Sequence, residues 1–199
     1  TPIRRRPWTG CRPVVWRVRS RGGVAHWRHV IHNRWIQVRQ DVCELPNGKI
    51  IDDYYVVEEP DVGCVFALTP DRKVILVQQY KHAIADICIE LPAGGFEHPT
   101  GDPLEESRRE FREETGYDAN EFRYLGKMAQ SPTRMSSYFY CYLALDAYPV
   151  GEQDLDPAED ITLRFELLDE VLAMIARGEI HVASSVACIY LAASHLQKL

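Results

Sequence analysis

From Trp35 onward, apolar and polar positions come in short blocks with turn residues between them. WIQVRQDVCEL and KIIDDYYVV flank Pro46-Asn47-Gly48, which predicts a hairpin with φ > 0 at both central turn positions. VGCVFAL and KVILVQQY around Pro70-Asp71 predict a second hairpin, and DICIEL a further short strand. FRYLGKMA, SSYFYCYLALD and ITLRFEL carry on the strand pattern, the last after a loop rich in Asp, Pro and Gly over 146–160. The period lengthens to that of a helix in three places. One helix is expected from Pro103 to Thr115, with Asp102 as cap, Pro103 at the first helical position and Gly116 as the stop. LDEVLAMIARG predicts the second helix, and the third runs from Ala183 to Gln197 with Val182, Val186, Ile189, Ala193 and Leu196 on one apolar stripe. Strands interleaved with helices predict an α/β chain of the α+β kind, built on a mixed sheet.

Composition agrees with a folded chain: 199 residues, 46% hydrophobic, 26% charged and 10% aromatic. No apolar run approaches the roughly 20 residues that span a bilayer, and the Arg-rich start lacks the apolar stretch of a secretory signal. A cytoplasmic protein with no membrane partner is therefore expected. Cys11, Cys43, Cys64, Cys88, Cys141 and Cys188 include no C-x-x-C pair, so neither a disulfide framework nor a zinc site is signalled. The net charge of −6 conceals an asymmetry: residues 1–40 hold 10 Lys and Arg and no carboxylate, against 13 Lys and Arg and 29 Asp and Glu in the remainder.

That asymmetry sets off residues 1–34 as a basic N-terminal arm, leaving 35–199 as one domain that begins with the hairpin of residues 35–60. Clustered Arg with Trp8, Trp16 and Trp27 suits phosphate contact and base stacking. Terminal basic runs more often pack on their own acidic domain, so nucleic acid is not the expected partner. His26, His29 and His32 recur every third residue, but no Cys or carboxylate within the segment completes a metal set.

The chemistry concentrates in ELPAGGFEHPTGDPLEESRREFREETGYD, Glu90 to Asp118. At about 100° per residue, with Glu110 at zero, Glu114 falls near 40°, Glu106 near −40° and Glu113 near −60°, whereas Leu104 and Phe111 fall on a separate apolar face, near 120° and 100°. Like charges at these spacings cost a few tenths of a kcal/mol per pair, offset only in part by Arg109 and Arg112. Hard divalent ions prefer oxygen ligands, with one or two carboxylates and phosphate oxygens among them, and a stripe of glutamates fits that preference. Ala93-Gly94-Gly95 at a strand end lets backbone approach the same place. The alternative is a solvated face laced by Glu105–Arg109 and Arg109–Glu113 pairs.

Pattern specificity separates the two. Arg109-Glu110-Phe111-Arg112-Glu113-Glu114-Thr115-Gly116-Tyr117 resembles the Nudix box, G-x5-E-x7-R-E-U-x-E-E-x-G-U, and its six fixed residues match by chance about once in ten million windows. One position departs: Gly101 stands where the family has its first Glu, and the loop from Gly94 is one residue longer, with Asp102 as the substitute helix cap. Beyond the box, LPNGK, QQYKH, SPTRMSS, AEDITL and GEIHVASSVACIYLA resemble the ADP-ribose pyrophosphatase branch of the family.

The resemblance implies a Nudix-type α/β/α sandwich and a homodimer hydrolysing a nucleoside diphosphate sugar, ADP-ribose to AMP and ribose 5-phosphate, with Mg²⁺ or Mn²⁺ as substitute. By position it implies Glu110, Glu114 and the Ala93 carbonyl as metal ligands, with Glu113 as ligand or base. Glu113, Glu159 and Arg109 are the expected catalytic residues. Pro157 stands where some relatives have a separate Glu base, so Asp156, Glu159 and Asp160 all remain open for that role. Trp35, a base-stacking aromatic in that branch, Lys81, which meets the diphosphate there, Gly94, Gly95 and Arg134 are the expected substrate contacts. A Trp at a strand start, as Trp35 is, is more often an ordinary core residue. Other substrates remain open, a nucleoside triphosphate or a GDP-sugar among them, as does a nucleotide sensor without catalysis; the intact Glu110, Glu113 and Glu114 favour an enzyme.

Overall fold

The computed structural model describes residues 23–97 and 101–197, and the chain divides into two compact units. Residues 1–22, which include Cys11, Trp8 and Trp16, lie outside the described residues. The first unit takes in residues up to 59 together with 131–136, and the second comprises 60–130 and 137–199. This division differs from the expected one, in which the hairpin of residues 35–60 belonged to the catalytic domain.

The first unit is an antiparallel sheet of β1 (Gly23–His32), β2 (Gln37–Glu44) and β3 (Ile50–Glu58) in that order. Most of the segment 23–34, expected as arm, is thus strand: Trp27 pairs with Asp41 and His29 with Arg39 across β1 and β2. The β2–β3 turn is a hairpin as predicted, but only Gly48 takes positive φ, at 80°. Pro46 opens an ordinary turn closed by Gly48 N–H to Leu45 O at 2.8 Å, and Gly48 then supplies the left-handed residue of a three-residue loop. Residues 131–136 dock on β3 through Val57 N–H to Arg134 O at 2.7 Å and Tyr54 Oη to Thr133 O at 2.7 Å. His29 finds in Glu58, at 2.7 Å across the sheet, a carboxylate that its own segment lacks, and Arg39 joins the same Glu58 at 2.7 Å.

The second unit holds the remaining strands and all three helices. A four-stranded sheet has the order β7 (Ala93–Gly95), β4 (Val62–Ala67), β9 (Tyr138–Pro149), β8 (Tyr117–Ala129), with β4 and β9 parallel and the other pairs antiparallel. A second sheet runs β10 (Ile161–Leu167), β5 (Lys73–Lys81), β6 (Asp86–Glu90), antiparallel throughout. The apolar run of β4 is buried on both faces, which is why it reads as continuous and not alternating. Val65 and Ala67 pack with Phe111 and Leu104 of α1 (Pro103–Thr115), whereas Cys64 and Phe66 pack with Val171 and Met174 of α2 (Leu168–Ala176) and Ile189 of α3 (Ala183–Leu196). Helices on both faces make the α/β/α layering, in the α+β class. Among the described residues no helix is long and apolar enough to cross a membrane. Cys64, Cys88, Cys141 and Cys188 are buried free thiols.

Helix α1 carries the predicted punctuation. Asp102 Oδ1 accepts Leu104 N–H at 3.0 Å, Pro103 starts the helix, and Gly116 ends it in the left-handed region at φ 70°. Gly63 sets its distance from the sheet: a Cβ there would lie 2.2 Å from Ser107 Oγ and 2.8 Å from Ser107 Cα. A close approach of this kind leaves the polar face of α1 rigidly placed above the edge strand β7.

Candidate active site

That polar face begins with Glu106, which is buried although charged. Its carboxylate accepts the Glu97 N–H at 2.9 Å, which ties Glu97 to the helix. One turn on, Glu110 stands against Gly94, where a Cβ would lie 2.0 Å from Glu110 Oε2. Glu114 is 5% exposed and accepts the Ala93 N–H at 2.9 Å through Oε2. Two carboxylates a turn apart thus meet the backbone of β7, which the missing side chain of Gly94 allows. The group of Ala93 seen to meet Glu114 is its N–H, where the resemblance implied its carbonyl as a ligand.

Arg109 spans the stripe. Its Nη1 donates to Glu113 Oε2 at 2.6 Å, and its Nη2 to Glu110 Oε1 at 2.6 Å and to Glu106 Oε2 at 3.3 Å. Burial works to lower its pKa, but the charge of Glu110 and the bonds to Glu113 and Glu110 outweigh it, so the guanidinium stays charged. Its Nε is buried without a partner among the described groups. Lys81 pairs with the buried Glu90 at 3.1 Å, and Gln79 donates to the same Glu90 oxygen at 3.2 Å.

Positive charge is short here. Burial pushes the Glu110 carboxyl up to about 7; Arg109 opposes the shift, and the charges of Glu113 and Glu159 add to it. Burial likewise pushes Glu114 up to about 8, against the Ala93 N–H and Lys81 and with the charges of Glu110 and Glu159. Glu159 is exposed on the acidic loop, where its Oε2 accepts the Asp156 N–H at 3.0 Å, and its charge registers at both helix carboxylates. Among the described residues no three His, Cys, Asp or Glu stand as a closed ligand set, and Arg109 occupies one oxygen each of Glu110 and Glu113. The site is an incomplete, electron-rich oxygen cradle suited to a cation.

Known proteins place this arrangement. A family profile described as NUDIX domain matches residues 57–185, and one described as nucleoside diphosphate sugar hydrolase N-terminal domain matches residues 28–57. The chain belongs to the Nudix family. It is a Nudix hydrolase, similar to the ADP-ribose pyrophosphatase of Bacillus subtilis (strain 168), at 29% identity over 161 residues that cover 80% of this chain and 86% of that protein. The methanol dehydrogenase activator of Bacillus methanolicus shows the same identity over the same shares. A solved structure of an ADP compounds hydrolase has the same fold, with a TM-score of 0.76 at 21% identity, covering 89% of this chain and 95% of that one.

Helix α1 is thus the Nudix helix: it brings Glu110 and Glu114 onto β7 at Gly94 and Ala93, joins Glu113 to Glu110 through Arg109, and feels the charge of Glu159, with Lys81 acting on Glu114. The departure at Gly101 leaves the helix start intact, since Asp102 caps it and Glu106 ties Glu97 to the helix. Gly95 pairs with Val62 at the sheet edge. Trp35 and Arg134 belong to the first unit. Trp35 is 78% exposed beside the Arg34 guanidinium, 4.4 Å from its ring centroid, and is no core residue. Arg134 is exposed and fixed by its backbone to Val57.

Two Nudix-domain residues escaped sequence reasoning. Asp118, 2% exposed, takes bonds from Arg108 at 2.7 Å twice and from Arg112, fastening the far edge of the helix to β8. Arg112, expected to offset the glutamate stripe, pairs with Asp118 instead; its spacing of four residues from Arg108 was the one signal in the sequence for this second charged edge. Gln153 donates to Glu114 O at 2.6 Å, and no sequence signal marked it.

Proposed function

We propose that this protein is a Mg²⁺-dependent pyrophosphohydrolase of nucleoside diphosphate sugars, cleaving ADP-ribose to AMP and ribose 5-phosphate, with Mn²⁺ as a substitute ion. The observation that carries this reading is the meeting of Glu110 and Glu114 with the side-chain-free backbone at Gly94. All donors there are hard oxygens, and burial raises the carboxyl pKa values of Glu110 and Glu114 against the opposing charges of Arg109 and Lys81. Such a donor set fits a divalent ion, held by Glu110, Glu113 and Glu114 with the carbonyl of Ala93. When bound, the ion neutralises diphosphate oxygens and lowers the pKa of a water.

The chain's own residues supply the rest. Arg109 pairs with both Glu110 and Glu113 and holds the two carboxylates on one edge of the helix. Lys81, 41% exposed in its side chain, offers a cation to the diphosphate. Glu159, with Asp156 and Asp160 as neighbours on the same loop, accepts the proton of the attacking water, a role worth about a hundredfold to ten-thousandfold. The Gly94-Gly95 backbone contacts the substrate. The similar Bacillus subtilis protein named ADP-ribose pyrophosphatase supports this substrate class. A homodimer is the expected assembly, checked by sedimentation.

The test is a panel of ADP-ribose, other nucleotide sugars and nucleoside triphosphates with Mg²⁺ or Mn²⁺, with products identified. ADP-ribose is expected to give AMP and ribose 5-phosphate, and chelation to stop the reaction. No product from any nucleotide sugar, or turnover indifferent to chelation, would refute the assignment.

A further inference from the structure

The last carbonyls of a helix lack partners within it. In the Nudix helix those of Glu113 and Glu114 are taken by the segment that leaves β9: Asp154 N–H donates to Glu113 O at 2.9 Å, and the Gln153 carboxamide Nε2 donates to Glu114 O at 2.6 Å. The same Nε2 reaches Ile161 O, at the first residue of β10, at 3.3 Å. A carboxamide nitrogen has two hydrogens, so both bonds are available at once. Val150 and Gly151 N–H add bonds to Gly116 O at 2.8 and 3.3 Å.

One side chain therefore joins the helix end that carries Glu113 and Glu114 to both ends of the loop 153–161. That loop has no regular structure; within it the Glu159 carboxylate accepts the Asp156 N–H at 3.0 Å, and its charge bears on both Glu110 and Glu114. Compact loops with closed ends are held by such internal bonds, and opening one frees the whole segment.

We propose that Gln153 is a positioning residue for hydrolysis: by closing this loop onto the Nudix helix it sets the place from which Glu159 serves the reacting water. The inference rests on the pyrophosphohydrolase reading above. Gln153→Ala removes the closure, and Gln153→Glu keeps the shape but turns the donor into an acceptor facing two carbonyl oxygens.

The experiment measures kcat and KM of wild type, Gln153→Ala, Gln153→Glu, Glu159→Gln and the double variant Gln153→Ala/Glu159→Gln on ADP-ribose with saturating Mg²⁺. Amide exchange over residues 154–160 is followed in parallel. Both Gln153 variants are expected to lose about ten- to a hundredfold in kcat, with KM within about twofold. Exchange should quicken over the loop and stay slow in β4 and β9, and Gln153→Ala should cost nothing more once Glu159 is Gln. Losses that multiply in the double variant, exchange that quickens throughout the second unit, or an unchanged kcat in Gln153→Ala would overturn the role of Gln153 alone, whereas an unchanged kcat in Glu159→Gln would overturn Glu159 as the proton acceptor and the role of Gln153 with it. Wild-type protein inert across the nucleotide panel would instead overturn the reading it rests on.

Discussion

Replacing Gly94 with alanine adds a methyl group where the Glu110 carboxylate stands: the new Cβ would lie 2.0 Å from Oε2, 2.3 Å from Cδ and 2.8 Å from Cγ. Ordinary contact is about 3.5 Å, so the carboxylate must withdraw by about 1.5 Å. Every atom in the way belongs to the end of one flexible side chain, and Gly94 is not among the positive-φ glycines, so Glu110 moves and β7 stays. A misplacement of about 1 Å costs about a hundredfold in rate, about 2.7 kcal/mol of transition-state stabilisation. The fold loses at most the Arg109–Glu110 bond, about 1 kcal/mol or roughly 3 °C in Tm. Gly63→Ala is the contrast: its Cβ would lie 2.8 Å from Ser107 Cα, helix backbone that cannot swing aside, and overpacking there costs about 1–3 kcal/mol of stability. The assay pairs kcat and KM on ADP-ribose with thermal unfolding of both variants. Gly94→Ala with wild-type turnover, or melting as early as Gly63→Ala, would refute the reasoning.

Glu114→Gln keeps an oxygen for the Ala93 N–H and removes the charge, so steady-state assays at saturating Mg²⁺ should find nearly all turnover lost with the fold intact; wild-type-like activity would contradict the metal assignment. Glu110 and Glu114 titrate in the fold at about 7 and about 8 against an ordinary 4.5. The folded protein thus holds protons that the unfolded chain releases, and metal-free stability should fall as pH rises through that window. Added Mg²⁺ should restore it; a metal-free Tm that climbs over the same range would count against the clustered carboxylates. Asp118→Asn should cost about 2 kcal/mol at neutral pH, since its bonds from Arg108 and Arg112 are charge-assisted. Burial opposes ionisation of Asp118, but Arg108 and Arg112 outweigh it and hold the carboxyl at about 2 against an ordinary 3.8. Its stabilisation is complete above pH 4 or so and fades as pH falls toward about 2, so the urea midpoints of variant and wild type should converge there.

Much of the catalytic helix was legible because its determinants are local. Asp102, Pro103 and Gly116 set its ends by cap chemistry within one turn, and the spacing of Glu106, Glu110 and Glu114 put them on one edge by helical period alone. The strand runs of β4, β5 and β10 were legible for the same reason, since burial on two faces or one imposes a run or an alternation.

Partners far apart in the chain were not legible. Spacing foresaw the Arg109–Glu113 pair, but the glutamate stripe did not reveal that Arg109 would also take Glu110, or that Ala93 would offer its N–H. His29 on β1 meets Glu58 on β3, 29 residues away, only because the sheet sets both strands against β2, and the same sheet turned most of the segment 23–34 from arm into strand. Gln153 reaches Glu114 across 39 residues through a loop with no period of its own. Caps and periods are decided by neighbours within a few positions, and the sequence alone therefore determined the helix, its edges and its charge. Which backbone and which cation meet that charge depends on strand order and on the glycine gaps at Gly63 and Gly94, and these act only once the layers have packed.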